Sequence, residues 1–196
     1  MALKDITQAD LKGKRVIARF DFNVPLDKKD RSKITDTTRV DLALETIQYL
    51  LDNEVSKLVL MSHLGRPDGE VNLDYTLEPV ANYLAEKLGE EVLFTEAAVD
   101  VGVKELLTLN STKIVLLQNL RFHPEETANE DSFSQKLSEY ADIYVNDAFG
   151  AAHRKHASTH GINKFFSGRA YAGLLLKKEI EALEKILKTP TKPFVA

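Results

Sequence analysis

The sequence predicts a single α/β domain built on a doubly wound parallel sheet with helices on both faces. Three observations carry this expectation. Short apolar segments alternate along the chain with segments of helical period. The short segments, Val16-Ile17-Ala18 and Leu58-Val59-Leu60 among them, are apolar at consecutive positions, as strands covered on both faces are. Several then break off into polar residues, Gly or Pro, the way such a sheet presents groups beyond the carboxyl ends of its strands. Together these give a three-layer, Rossmann-like arrangement.

Residues 15–20 form the first expected strand. It ends in Asp21-Phe22-Asn23-Val24-Pro25, where Pro25 stops the ladder. Residues 27–36 are charged and read as solvated loop. Thr38 opens a helix with Asp41 three residues on, a variant of the capping box, and Val40, Leu44, Ile47 and Leu51 would face the core. Residues 57–61 are the second strand, leaving through Ser62-His63-Leu64-Gly65-Arg66-Pro67. A helix over 76–88 tolerates Pro79 in its first turn, buries Val80, Tyr83, Leu84 and Leu88, and stops at Gly89.

A third strand over 91–94, a short helix over 101–107 and a fourth strand over 113–117 follow. The fourth strand exits into Gln118-Asn119-Leu120-Arg121-Phe122. Ser132 begins a helix, with Gln135 completing a capping box and Phe133, Leu137 and Tyr140 on its apolar side. Ile143-Tyr144-Val145 is the fifth strand; it turns polar at Asn146-Asp147 and leads past Gly150, Ala151 and Ala152 to Arg154. The last strong helix spans about 176–187, with Ile180, Leu183 and Leu187 at core spacing. Residues 1–189 read as one domain and 190–196, with two prolines, as the start of a stiff linker. Phe194-Val195-Ala196 looks like the opening of a further strand, so the polypeptide reads as cut there.

With 196 residues, 43% of them hydrophobic, the chain can bury a sizeable core. A net charge of -4 argues against a general nucleic-acid partner. The lack of cysteine excludes disulfides, thiolate catalysis and cysteine zinc sites. No apolar signal core and no membrane-length run is present, so a cytoplasmic location with no membrane partner is expected. Asn110-Ser111-Thr112 matches a glycosylation sequon and is discounted without a secretory signal.

The strand exits agree on one kind of ligand. Asp21 and Asn23, His63 and Arg66, Arg121, and Arg154 all lie just past strand ends. Arg39 falls in a helix first turn, where the dipole disfavours a cation, and helix starts lie at the same edge. Four arginines and a histidine on one rim of an acidic chain suit phosphate, through forked, charge-assisted hydrogen bonds of ~1.5–3 kcal/mol each. Asp21 and Asn23 would read a hydroxyl or orient an arginine; the plainer alternative is that Asp21 only steadies the edge. G-x-G-x-x-G after a strand and G-x-x-x-x-G-K-[ST] are both absent. His153, His156 and His160 have i, i+3, i+7 spacing, but nothing acidic completes a metal set, so no metal site is expected.

Asp21-Phe22-Asn23-Val24-Pro25, Ser62-His63-Leu64-Gly65-Arg66-Pro67, Asn119-Leu120-Arg121-Phe122 and Asn146-Asp147-Ala148-Phe149-Gly150-Ala151-Ala152-His153-Arg154 resemble, in order and spacing, the amino-terminal half of the phosphoglycerate kinase family. Gln118 departs from the family's usual Glu and Ala151 from its frequent Thr. The resemblance implies phosphoryl transfer between 1,3-bisphosphoglycerate and ADP, by a phosphotransferase with a carboxyl group as acceptor. It implies that His63, Arg66, Arg121 and Arg154 grip the 3-phosphate that is not transferred, with Phe22, Leu64 and Gly65 also among the substrate-binding residues. Asp21 and Asn23 would fix the glycerate, and Arg39 would be the catalytic residue that stabilises the transferred group. MgATP or MgADP would sit on an absent carboxyl-terminal domain, so no cofactor is expected on residues 1–189. The expected partners are 3-phosphoglycerate or 1,3-bisphosphoglycerate and that missing domain, in a monomer that by itself binds substrate but turns over little. In the family the far carboxyl terminus packs back on this half, so an exposed apolar patch is expected. Two other readings share the same rim: an independent phosphate-binding α/β module, and a folding or assembly fragment whose site is unused.

Overall fold

A computed structural model describes residues 3–109 and 112–188. The sequon at Asn110 and the linker 190–196 lie outside the described residues. Six strands form one sheet: β1 (Arg15–Arg19), β2 (Lys57–Met61), β3 (Val92–Phe94), β4 (Ile114–Leu116), β5 (Ile143–Asn146) and β6 (Ala170–Ala172). They run in the order β3-β4-β2-β1-β5-β6, and every pairing is parallel. This is the doubly wound parallel sheet that the alternating pattern called for.

Side-chain alternation divides the core. Val16, Ala18, Leu58, Leu60, Ile143 and Val145 point to one face, where they meet α1 (Thr38–Asp52) and α2 (Glu78–Leu88). Ile17, Val59, Met61, Val115 and Tyr144 point to the other, where they meet α3 (Val101–Leu106) and α5 (Asp131–Ser138). Connections that step from β1 out to β3 cross the first face through α1 and α2. The steps back, from β3 to β4 and from β4 to β5, cross the second face. Reversing direction while keeping right-handed crossovers requires that change of face.

Three shorter or later helices complete the described residues: α4 (Pro124–Ala128), α6 (Phe149–Ala152) and α7 (Leu174–Lys188). β6, α4 and α6 are additions to the elements expected from sequence. Ala170–Ala172 has no apolar run to announce it; α4 has its signals, Pro124 at the first turn and Asn129 in left-handed backbone at the end.

Both expected capping boxes give way to other contacts. At α1 it is Asp36 that accepts the Thr38 amide, at 2.9 Å, while Asp41 accepts the Thr37 and Tyr83 hydroxyls. At α5 the helix has already begun at Asp131, so Ser132 sits inside it and cannot cap. Along α1, Ala43 and Leu50 are the fully packed positions beside Val40 and Ile47, with Leu44 and Leu51 at the margin. Along α7, Leu183 and Leu187 keep their helical spacing but stay exposed, as does Ile186, and of the helix only Leu176 is buried. α7 meets α1 near its start, through Leu174 to Thr46 and Lys178 to Glu45.

Candidate functional site

Arg19, Met61 and Asn146 stand side by side in register at the ends of β1, β2 and β5. The residues that follow each of them therefore emerge at one edge. Two asparagines shape the loop after β2. The side-chain oxygen of Asn119 accepts the amides of Leu64 (3.2 Å) and Arg121 (3.1 Å), and its nitrogen donates to the carbonyls of Leu64 and Tyr75. Asn23 Oδ1 accepts the amide of Gly65 at 2.8 Å. Gly65 itself has φ of +60°, and a Cβ there would lie 2.2 Å from the Tyr75 ring, so no other residue fits without moving Tyr75. Gln118, one departure from the family pattern, accepts the Leu77 amide and so serves the start of α2.

This scaffold brings Arg66, Arg121 and Arg154 around one cleft of about 170 Å³, together with Asp68, Thr127 and His156. Three guanidinium groups face one carboxylate there. Arg66 is exposed, whereas Arg121 is almost buried and donates to the carbonyl of Gly65 at 2.7 Å. The Arg121 Nε is buried and has no partner among the described residues, so a strong donor is left unsatisfied. Burial, with Arg154 as a like charge, pulls the Arg121 pKa down. An oxyanion in the cleft would relieve both costs.

His63 lies beneath, nearly buried between Arg19 and the cleft arginines. Burial first, then the positive field of Arg19, Arg121 and Arg154, holds it well below the ordinary imidazole value, so it is neutral. His156 is pushed down to about 4, again mainly by burial and then by Arg121. Glu126 would favour its charged form, but at 3.9 Å from His156 Nδ1 it is too far for a hydrogen bond, and burial wins.

Asp21 and Arg39 line a neighbouring cleft with Ala43, Asp147, Phe149 and Gly150. Arg39 donates to Asp21 Oδ2 at 2.8 Å. The Arg39 side chain is half exposed, so the pair contributes little to stability and leaves the guanidinium available. The other carboxylate oxygen of Asp21 accepts the Asn23 amide.

The sequence-derived residues thus fall into three groups. Arg66, Arg121 and Arg154 meet at one cleft with His63 below it, and Asp21 and Arg39 meet at the next. Gly65 and Asn23 shape the loop between. Phe22 and Leu64 have buried side chains, and their amides are engaged by Ser62 and Asn119. Phe22 is stacked on Phe20 at 5.4 Å. Alternation explains this, because Phe22 continues the inward face of β1.

Sequence reasoning missed Arg19, Glu126 and Ser158, and weighed His156 only as a metal ligand. Arg19 carried a signal, a charge at the end of an apolar strand; Glu126 and Ser158 carried none. His153 and His160 are exposed, and turns replace the helix that would have aligned them with His156. Among the described residues, no group of three or more His, Asp or Glu side chains is placed to hold a metal, and no helix is long and apolar enough to cross a membrane.

The phosphoglycerate kinase family model matches residues 6–196. The phosphoglycerate kinase of Anaeromyxobacter dehalogenans (strain 2CP-C) is 48% identical over 199 residues, taking in 100% of this chain and 49% of that one. That of Moorella thermoacetica is 48% identical over 197 residues, with 100% and 48% covered. The solved phosphoglycerate kinase of Coxiella burnetii superimposes with a TM-score of 0.82 at 34% identity, over 98% of this chain and 47% of that one. That of Pyrococcus horikoshii gives 0.83 at 30% identity, over 97% and 47%. The chain spans about half the length of the curated relatives it matches.

Proposed function

The chain belongs to the phosphoglycerate kinase family, and from that premise we propose that it is the glycerate-phosphate-holding half of such an enzyme. Its three-arginine cleft takes the 3-phosphate of 3-phosphoglycerate or 1,3-bisphosphoglycerate. The observation that carries this is the unpartnered, buried Nε of Arg121, set between Arg66 and Arg154 in one cleft. A phosphate dianion supplies the acceptors these donors lack, and guanidinium matches it in fork geometry.

Asp21 and Arg39 act at the glycerate end. Asp21 holds Arg39 in place, and Arg39 stabilises charge on the oxygens of the group in transfer. Mg²⁺-bound nucleotide does not fit the three-arginine cleft, whose lining would repel a cation. We place MgADP or MgATP on the part of the relatives' length that this chain does not span. Turnover then needs both parts, and these residues alone bind and orient.

Titration with 3-phosphoglycerate, followed by amide and arginine Nε–H resonances, tests the reading. Saturable shifts are expected at Arg66, Gly69, Arg121 and Arg154, and Arg66→Ala should weaken binding about tenfold, the loss of one charge-assisted hydrogen bond. A flat titration at millimolar ligand would leave a folding or assembly role. A stronger response to an unrelated sugar phosphate would mark an independent phosphate-binding module.

A further inference from the structure

Below the cleft lies a buried polar chain that ends on His63. Arg19 is fully buried and shares the sheet face of Ile17 and Tyr144. Its Nε donates to Ser158 Oγ at 2.9 Å, one terminal nitrogen donates to the Phe20 carbonyl, and the other lies 2.9 Å from His63 Nδ1. Among the described residues Arg19 has no direct ion pair. Its counter-charge is Glu126, also fully buried, whose carboxylate accepts the Ser158 amide at 2.9 Å and the Ser158 hydroxyl at 2.6 Å.

With Glu126 ionised as the counter-charge of Arg19, the donors and acceptors along this chain fall into one order. A carboxylate only accepts, so the Ser158 hydroxyl gives its proton to Glu126 and takes the N–H of Arg19 on a lone pair. Guanidinium has no lone pair to offer and keeps its protons at any relevant pH, so the His63 nitrogen facing it must be bare. The single proton of a neutral ring then sits on Nε2. A second proton would set an imidazolium against Arg19 and within the positive field of Arg121 and Arg154.

We propose that Arg19, held by Ser158 and Glu126, is a positioning residue that locks His63 in its Nε2–H tautomer, so that His63 meets an anion in the cleft as a fixed neutral donor. The lock belongs to the ligand-free chain; its use toward phosphate rests on the function proposed above. Its consequence is that the grip of His63 does not switch on and off near neutral pH, as an ordinary histidine contact would.

Long-range ¹H–¹⁵N spectra of the ¹⁵N-histidine-labelled, ligand-free chain read the tautomer directly. The expected spectrum shows His63 with an unprotonated Nδ1 and a protonated Nε2, unchanged from pH 8 to pH 5. A protonated Nδ1, or a His63 that titrates near the ordinary imidazole value, overturns the proposal. Ser158→Ala should admit the other tautomer or a charged ring, and Ser158→Thr, which keeps the hydroxyl, should restore the wild-type pattern. An unchanged pattern in Ser158→Ala overturns the relay. Addition of 3-phosphoglycerate separates the two readings. An Nε2–H tautomer whose resonance ignores the ligand leaves the lock standing and counts against the phosphate cleft; a ligand-responsive His63 carrying its proton on Nδ1 does the reverse.

Discussion

Asp21 and Gly150 occupy one space. A Cβ on Gly150 would lie 2.6 Å from Asp21 Oδ2, the oxygen that receives Arg39. Gly150 therefore needs its small size here because an acidic side chain packs against its backbone. Gly150→Ala should push Asp21 aside and cost about 1 kcal/mol, with most of the loss absent when the same change is made in Asp21→Ala. A double-mutant cycle on urea midpoints checks it, and additive costs would show that the methyl clashes with something else. At this scale the sequence was most legible where side chains reach solvent, as at Arg66, Arg154 and Arg39, because charge at a strand exit stands out. It was least legible at Phe22, Leu64 and Asn23, which sit in the same motifs yet face inward or hold the loop. Adjacency in a motif says nothing about direction; the pleat decides that.

At the scale of the element, α7 depends on groups that the rest of the molecule lends it. Its third residue, Leu176, donates its amide to Asp147 Oδ1 at 2.9 Å, and its first, Leu174, donates to Thr46 Oγ1 at 3.1 Å. Asp147 follows β5 and Thr46 lies on α1, so the first turn of α7 is capped by two other elements. Burial raises the Asp147 pKa, an expense the structure accepts to satisfy that helix end. Asp147→Ala should cost about 1–2 kcal/mol and speed amide exchange at Leu174 and Leu176, while Asp147→Asn, which keeps an acceptor oxygen, should retain most of the protection. Equal exchange in wild type and Asp147→Ala would show the cap to be dispensable. Helix starts elsewhere were read imperfectly for a local reason, a boundary one or two residues before the expected one. Local capping boxes were expected at Thr38 and Ser132, but Asp36 serves α1 and α5 begins too early for Ser132 to serve it. β6 was missed for another reason: Ala170–Ala172 owes its strand to the neighbouring β5 and to no pattern of its own.

For the whole molecule, the existence and parallel direction of five strands were legible because consecutive apolar residues imply two covered faces, and that forces helical crossovers. Strand order was not, since it depends on which crossover takes which face. The buried chain through Arg19 was also hidden. It joins β1, the loop after β2, α4 and the segment after α6, and no local pattern encodes that meeting. It has a consequence for stability that spans the fold. His63 and His156 both have folded pKa values depressed below the unfolded value of about 6.5. Below that pH the unfolded chain binds protons that the folded chain refuses, so their contribution is fully present above about pH 6.5 and is lost as pH falls, down to about 4 for His156. Each refused proton can steepen the loss by at most about 1.4 kcal/mol per pH unit. Glu126 and Asp147 act the other way, because burial raises their pKa values and the folded state takes up their protons first as the solution is acidified. The His156 contribution is isolated by comparison: from pH 7 to pH 5 the urea midpoint of His156→Gln, which cannot titrate, should lose less than that of the wild-type chain. Parallel curves for the two chains would mean that His156 is protonated as readily in the folded state as in the unfolded one, and that the arginine field around the cleft is weaker than its geometry implies.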